Sequence, residues 1–239
     1  MGLFYDLGLG GVTKNPFEAL SWYTKAAMQG NEKAQWYLGD HYANGWKGVE
    51  KDEEMAVFWW TKAAEQGNVE AKFRLLVMAA EQGDADAQMD LGVCYKEGEG
   101  VEKDLKMAVF WWTKATEKGN VMAQAFLGHY YILGLGVEKD PKMAVFLLTK
   151  AAEQGLAQAQ HTLGRLYANG FEVEKDLKMA VFWCTKAAEQ GYADAQFDLG
   201  LSYDNGDGVE KDKIKAVFWF TKAAEQGDAK AQFELRRLH

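Results

Sequence analysis

Cysteine and proline are nearly missing from this chain, with two of each in 239 residues. Cys94 and Cys184 are too few and too far apart to build a disulfide framework, and each reads as a reduced core thiol. Long apolar runs are missing too: no stretch approaches the roughly 20 residues that span a bilayer. The first fifteen residues hold one lysine and no small-residue cleavage pattern, so no export signal is visible. A cytoplasmic location is the default expectation, with the periplasm or secretion as the alternative if a longer N-terminus precedes this one. Positive charge is in deficit. With 27 Lys and Arg against 35 Asp and Glu, the net charge is −8, which repels phosphate backbones and anionic lipid and argues against nucleic acid and membrane insertion. What is present suits a folded protein: 48% of the residues are apolar and 26% charged, so a core can form and the signature of disorder is lacking.

The chain repeats itself. A Glu-Gln-Gly tripeptide or its variant recurs with its glycine at Gly30, Gly67, Gly83, Gly119, Gly155, Gly191 and Gly227, at spacings of 37, 16, 36, 36, 36 and 36. A fixed period in this range marks a solenoid whose units bury their apolar faces against each other. Each unit has two segments, A (Ala-Gln-x-x-Leu-Gly-x-x-Tyr) and B (Met-Ala-Val-Phe-Trp-Trp-Thr-Lys-Ala-Ala), joined by Gly-x-Gly-Val-Glu-Lys-Asp. In segment A, Ala87, Leu91 and Tyr95 sit four apart, as do Ala195, Leu199 and Tyr203, which puts them on one helical stripe. Gly39, Gly92, Gly128, Gly164 and Gly200 interrupt that helix at about 1 kcal/mol each, which predicts close backbone contact with a neighbour. The glycine pairs Gly98-Gly100 and Gly134-Gly136 end segment A. Asp52, Asp104, Asp140, Asp176 and Asp212 open segment B as N-caps. Pro16 and Pro141 each fall just after a cap, the helical position that suits proline. No strand alternation or low-complexity linker appears, so the fold class is all-α.

The units read as 1–30 (partial), 31–67, 68–83 (truncated), 84–119, 120–155, 156–191, 192–227 and 228–239 (partial). Leu3 to Asn15 matches the latter part of a segment A and its loop, and Ala231 to His239 the opening of another, so the array is expected to continue or to have its ends covered. In 68–83 the start of an A segment joins directly to the end of a B segment. No Gly, Pro or Asn interrupts residues 69–82. The expectation is one continuous helix of about 14 residues where two should stand. An odd helix would shift the A-helix groove to the other side near residue 83 or divide the array into two lobes.

The run Leu-Gly-x-x-Tyr, Gly-x-Gly-Val-x-Lys-Asp and Ala-x-x-Trp-x-x-Lys-Ala-Ala-x-x-Gly resembles the Sel1-like repeat, a relative of the tetratricopeptide repeat. The resemblance covers essentially the whole chain. It implies a right-handed superhelical solenoid of antiparallel helix pairs and a role as a scaffold or adaptor that binds a protein or peptide without a cofactor. Cysteine-rich members of that family pair two cysteines within each repeat, and nothing here corresponds to that.

Chemistry has little purchase on this sequence. Gly8-Leu9-Gly10-Gly11 looks superficially like a dinucleotide turn, but a phosphate loop follows a strand and opens a helix, whereas every copy here closes one. Asp204-Asn205-Gly206-Asp207-Gly208 lacks the ligand spacing of a calcium loop. His41, His129, His161 and His239 lie in different units with no His-x-x-x-His pair, so neither a metal site nor a general base is predicted. The candidate site is therefore a surface. Opposite the Ala-Leu-Tyr stripe lie the second, sixth, ninth and tenth positions after the alanine, which differ between copies. The groove set is Trp36, Asp40, Met89, Val93, His129, His161, Arg165, Phe197 and Leu201. On segment B, Phe58, Phe110, Phe146, Phe182 and Phe218 point about 180° from the inner face of Ala56, Trp59, Trp60 and Ala63. They are expected to be partly exposed, as a convex surface for self-association or a second partner. Self-association could also use the exposed ends or the 68–83 break. Two rival functions accompany the adaptor reading: an immunity protein that neutralises a toxin, and an enzyme of β-lactam or cell-wall chemistry.

Overall fold

The computed structural model describes residues 13, 15–46 and 50–238, which form thirteen α-helices and no strand among them. The readings made for Leu3 to Gly11 lie outside the described residues. The chain forms two compact units, Met1–Trp111 and Trp112–His239. Their boundary falls within one helix rather than at residue 83.

Helices of the first unit are α1 (Pro16–Met28), α2 (Glu32–Asn44), α3 (Glu53–Glu65), α4 (Val69–Glu81), α5 (Ala85–Glu97) and the start of α6 (Leu105–Glu117). Helices α2 and α5 are A segments, and α1, α3 and α6 are B segments. Asp52 accepts from the Met55 amide at 3.0 Å and so starts α3, as the cap reading predicts. Pro16 stands at the first position of α1, after the capping Asn15. Ala19, Tyr23, Ala27, Ala34, Leu38 and Trp59 form one buried cluster, and Ala56, Trp60, Ala63 and Ala71 a second. Many of these are alanines, so the helices approach closely and large rings fill what remains.

Between Gly67 and Gly83 stands a single helix, α4. It works in two capacities. Asn68 caps it as Asn31 caps α2, and Asn68 Nδ2 donates to Glu32 at 2.6 Å, one repeat back. Arg74 reaches Asp40 of α2 at 3.5 Å. Toward α5 the same helix stands where a B helix would: Gln88 Nε2 donates to Ala80 O at 2.9 Å, as Gln35 does to Ala27 O at 3.1 Å.

The second unit comprises the rest of α6, then α7 (Val121–Leu133), α8 (Pro141–Glu153), α9 (Ala157–Asn169), α10 (Leu177–Glu189), α11 (Ala193–Asn205), α12 (Lys213–Glu225) and α13 (Ala229–Leu238). Helices α7, α9, α11 and α13 are A segments. The fully buried Trp112 stacks on Phe126 at 5.1 Å and meets Tyr130 edge-on at 4.8 Å. The mid-helix glycines make contacts finer than the expected backbone approach. A Cβ on Gly164 would lie 2.7 Å from Cys184 Sγ and 3.1 Å from Ala180 O. One on Gly200 would lie 2.7 Å from the Phe220 ring. At Gly39, Gly128, Gly164 and Gly200 a side chain of the following B helix presses on the glycine, with backbone of that helix behind it at Gly128 and Gly164.

A buried glutamine at the start of the A helix ties it to the B helix before it and to the B helix of its own repeat. Gln160 Nε2 donates to Ala152 O at 2.9 Å, and its Oε1 accepts from Gln190 Nε2 at 2.8 Å. Gln196 repeats this with Ala188 O at 3.1 Å and Gln226 at 2.8 Å, and Gln35 with Ala27 O and Gln66 in the first unit. These glutamines are 4–5% exposed, so an unpaired amide there would be costly.

Candidate functional site

The A helices line cavities in both units. In the second unit a cavity of about 410 Å³ opens between α7 and α9, with Ile132, Leu166 and Phe171 as its apolar wall. Its polar lining is His129, His161, Thr162, Arg165 and Asn169. Another of about 410 Å³ lies between Phe197 of α11 and Ala229, Lys230, Phe233 and Glu234 of α13. In the first unit Trp36, Tyr37, Asp40, His41, Asn44 and Trp46 line one of about 320 Å³. All three sit on A helices or the loop that ends them, and positions that vary between copies contribute to each.

The predicted groove residues do not behave alike. His129 and Arg165 are exposed, and Asp40, Val93 and Leu201 are half-buried. Met89 and His161 are buried, at 9% and 6% exposure, which corrects their reading as free groove side chains. His161 is held in place: its Nε2 donates to Asp198 Oδ2 at 2.8 Å, and its ring lies 5.2 Å from that of Tyr192. Trp36 packs on the Ala56, Trp60, Ala63 and Ala71 cluster, and Phe197 lies 5.7 Å from Phe220, so both are anchored in their own repeat's core. Trp36, Asp40, Met89 and Val93 belong to the first unit and the others to the second.

Ile132 and Asn169 are the ninth and tenth positions of the predicted face, whereas sequence reasoning missed Thr162, Leu166 and Phe171 at the site. Phe171 had a signal. Its loop reads Gly170-Phe171-Glu172-Val173, where other copies have Gly-x-Gly-Val, and Glu172 takes a φ of 55°, alone among the described non-glycine residues in that region. In the next copy the equivalent Gly208, at φ 71°, comes so near Leu177 O that a Cβ would clash. A glutamate, which carries a Cβ, cannot make that approach.

The B-helix phenylalanines form a second exposed feature: Phe58, Phe110, Phe146, Phe182 and Phe218 are 47–52% exposed. Lys150 and Lys186 lie over Phe146 and Phe182, 4.5 and 5.1 Å from the ring centroids.

Nucleophilic chemistry has no support in the thiols. Cys94 and Cys184 are free and buried. Burial, then the Asp198 charge, pushes the Cys184 thiol up to about 12, so it stays protonated at neutral pH. Among the described residues no three His, Cys, Asp or Glu converge as metal ligands, and no helix is long and apolar enough to cross a membrane.

Comparison with known proteins agrees with this architecture. The Sel1 repeat pattern matches residues 1–31, 32–68, 85–120, 121–156, 157–192 and 193–228, passing over the segment that holds α4. A Sel1 repeat protein from Oxalobacter formigenes is 37% identical, with 100% of this chain and 74% of that one covered and a TM-score of 0.69. A protective antigen of uropathogenic Escherichia coli with an SLR fold is 33% identical over 98% of this chain and 62% of that one, with a TM-score of 0.47. No curated protein matches the chain in sequence. The six matched repeats and the all-helical stack place the chain in the Sel1 repeat family, whose members are typically protein-interaction scaffolds.

Proposed function

We propose that this chain is a non-catalytic scaffold that binds a protein or peptide on the A-helix faces. One observation carries the reading: three cavities of the described residues are lined by A-helix side chains, and copy-to-copy variation is concentrated there. Residues kept in every copy, such as the glutamines and mid-helix glycines, are used up in holding the stack together. Variable residues are released from that duty and can match a ligand. The half-exposed phenylalanine stripe favours a second surface on the B helices, for another copy or another partner.

A photo-cross-linking phenylalanine analogue distinguishes the two faces. Placed at Phe197 or Phe233, it is expected to trap a partner in cells of the source organism, and at Phe146 or Phe218 to give little or a homodimer. A partner trapped only from the B-helix positions would overturn the groove reading.

A further inference from the structure

The cavity between α7 and α9 differs from the other two in charge. No carboxylate lines it, although the chain carries a net charge of −8. Arg165 stands in its lining, exposed, with no hydrogen bond or ion pair to any described residue. Two polar groups there are already engaged: Thr162 Oγ1 donates to Gln158 O at 2.8 Å, and His161 Nε2 to Asp198. The nearby acids are placed elsewhere. Asp198 and Asp207 line the adjoining cavity of about 350 Å³ on which Arg165 also borders, and Glu172 follows Phe171 without lining either.

Opposite this cationic, donor-rich side stands the apolar wall of Ile132, Leu166 and Phe171, the last 40% exposed. The volume lies within the ~300–1,000 Å³ range of pockets that enclose ligands. Phe171 is placed there by the one loop that gives up its second glycine, and strained backbone gathers where a binding surface is built. Taking the groove reading as its basis, we infer that this cavity is a specificity pocket for a partner segment carrying an acidic side chain next to a large apolar one. The carboxylate pairs with the Arg165 guanidinium, which can grip it through two parallel N–H donors, while Asn169 and His129 offer further donors. The neighbouring leucine or phenylalanine covers Phe171 and Leu166. The pocket thus reads charge and apolar bulk together, and a segment with only one of them binds poorly.

The test uses fluorescein-labelled peptide pools, acetylated and amidated at their ends, with Asp or Glu placed one or two residues from Leu or Phe in a Gly-Ser background. Matched pools carry Asn or Gln for the acid, or Ala for the apolar residue, and a further pool has no acid but a free carboxylate after Leu or Phe. The acidic pool is expected to bind the full chain about tenfold or more tightly than the amide pool, the scale of one charge-assisted hydrogen bond. Arg165→Gln should erase that difference, Phe171→Ala should weaken the acidic pool, and Ile214→Ala, at an exposed position outside both surfaces, should do neither. Amide resonances of His129, Thr162, Arg165 and Phe171 should shift on titration. Equal binding of acidic and amide pools, tighter binding of the free-carboxylate pool, or no binding of any pool would overturn the inference. Shifts confined to the Phe197 and Phe233 cavity would also overturn it but leave the groove reading standing; shifts confined to the phenylalanine stripe would end both.

Discussion

Replacing Glu172 by asparagine or glycine is expected to stabilise the fold. An L-residue with a long side chain in the left-handed region pays roughly 1–2 kcal/mol, because its Cβ crowds the following carbonyl. Glu172 sits there at φ 55°, and Gly100, Gly136 and Gly208 hold the equivalent place in other copies at 72°, 68° and 71°. Glycine would remove that strain but loosen the unfolded chain, which gives back about 0.4–1 kcal/mol. The net gain for Glu172→Gly is therefore about 0.5–1 kcal/mol. Asparagine tolerates the conformation without that loss and should gain as much or more. Urea denaturation followed by far-UV circular dichroism measures it, with the midpoint rising and the slope unchanged. The mirror experiment is Gly208→Ala, which puts a Cβ against Leu177 O and should cost well over 1 kcal/mol. A Glu172→Asn protein that melts at or below the parent would refute the reasoning, since it would mean Glu172 makes a compensating interaction in the folded chain.

Other outcomes follow from the same structure. Gln160→Leu removes the bonds to Ala152 O and Gln190; Ala152 O keeps the Gly155 amide at 3.0 Å, so the loss should cost about 0.5–1.5 kcal/mol per bond, read as a lower urea midpoint; an unchanged midpoint would show the ladder to be decorative. Cys184, with its thiol pushed up to about 12, should resist a disulfide reagent at pH 8 in the native protein and react promptly in urea; stoichiometric native labelling would contradict this. Partial burial, then the charges of Asp86 and Asp84, holds the Asp90 carboxyl above the usual range. Its ionisation therefore opposes folding. The penalty is absent below the unfolded value of about 3.9 and fully present above the raised folded value. Asp90→Asn should raise the melting temperature at pH 7 and leave it unchanged near pH 3, and a gain at both pH values would point to another cause.

Much of the stack was legible because the repeat prints its geometry six times. Caps at Asp52 and Asp140, the first-turn prolines and the close contacts at Gly164 and Gly200 all follow from local rules that act within one or two turns. The inner face of α3 is Ala56, Trp59, Trp60 and Ala63, as periodicity alone predicts. Burial of individual groove positions was not legible, since it depends on the neighbour's size. His161, at the second position after its alanine, is buried because Tyr192 and Asp198 come from the next repeat to meet it, whereas His129, at the sixth position, is exposed. The glutamine ladder was visible as a constant Ala-Gln, but the partner 30 residues on appears only when the A and B helices of a repeat pack together. Phe171 had its signal in a broken Gly-x-Gly, and its meaning emerges only from the cavity beside it.

The most direct test measures the affinity of the cross-linked partner, by calorimetry, for two folded variants. Phe197→Ala with Phe233→Ala alters an A-helix cavity, and Phe146→Ala with Phe182→Ala alters the B-helix stripe. The account predicts that the first pair weakens binding by about 2 kcal/mol or more, as loss of anchor residues does, and that the second pair leaves it within a few tenths. Equal affinity for the parent and the A-helix variant, with binding lost in the B-helix variant, would contradict it.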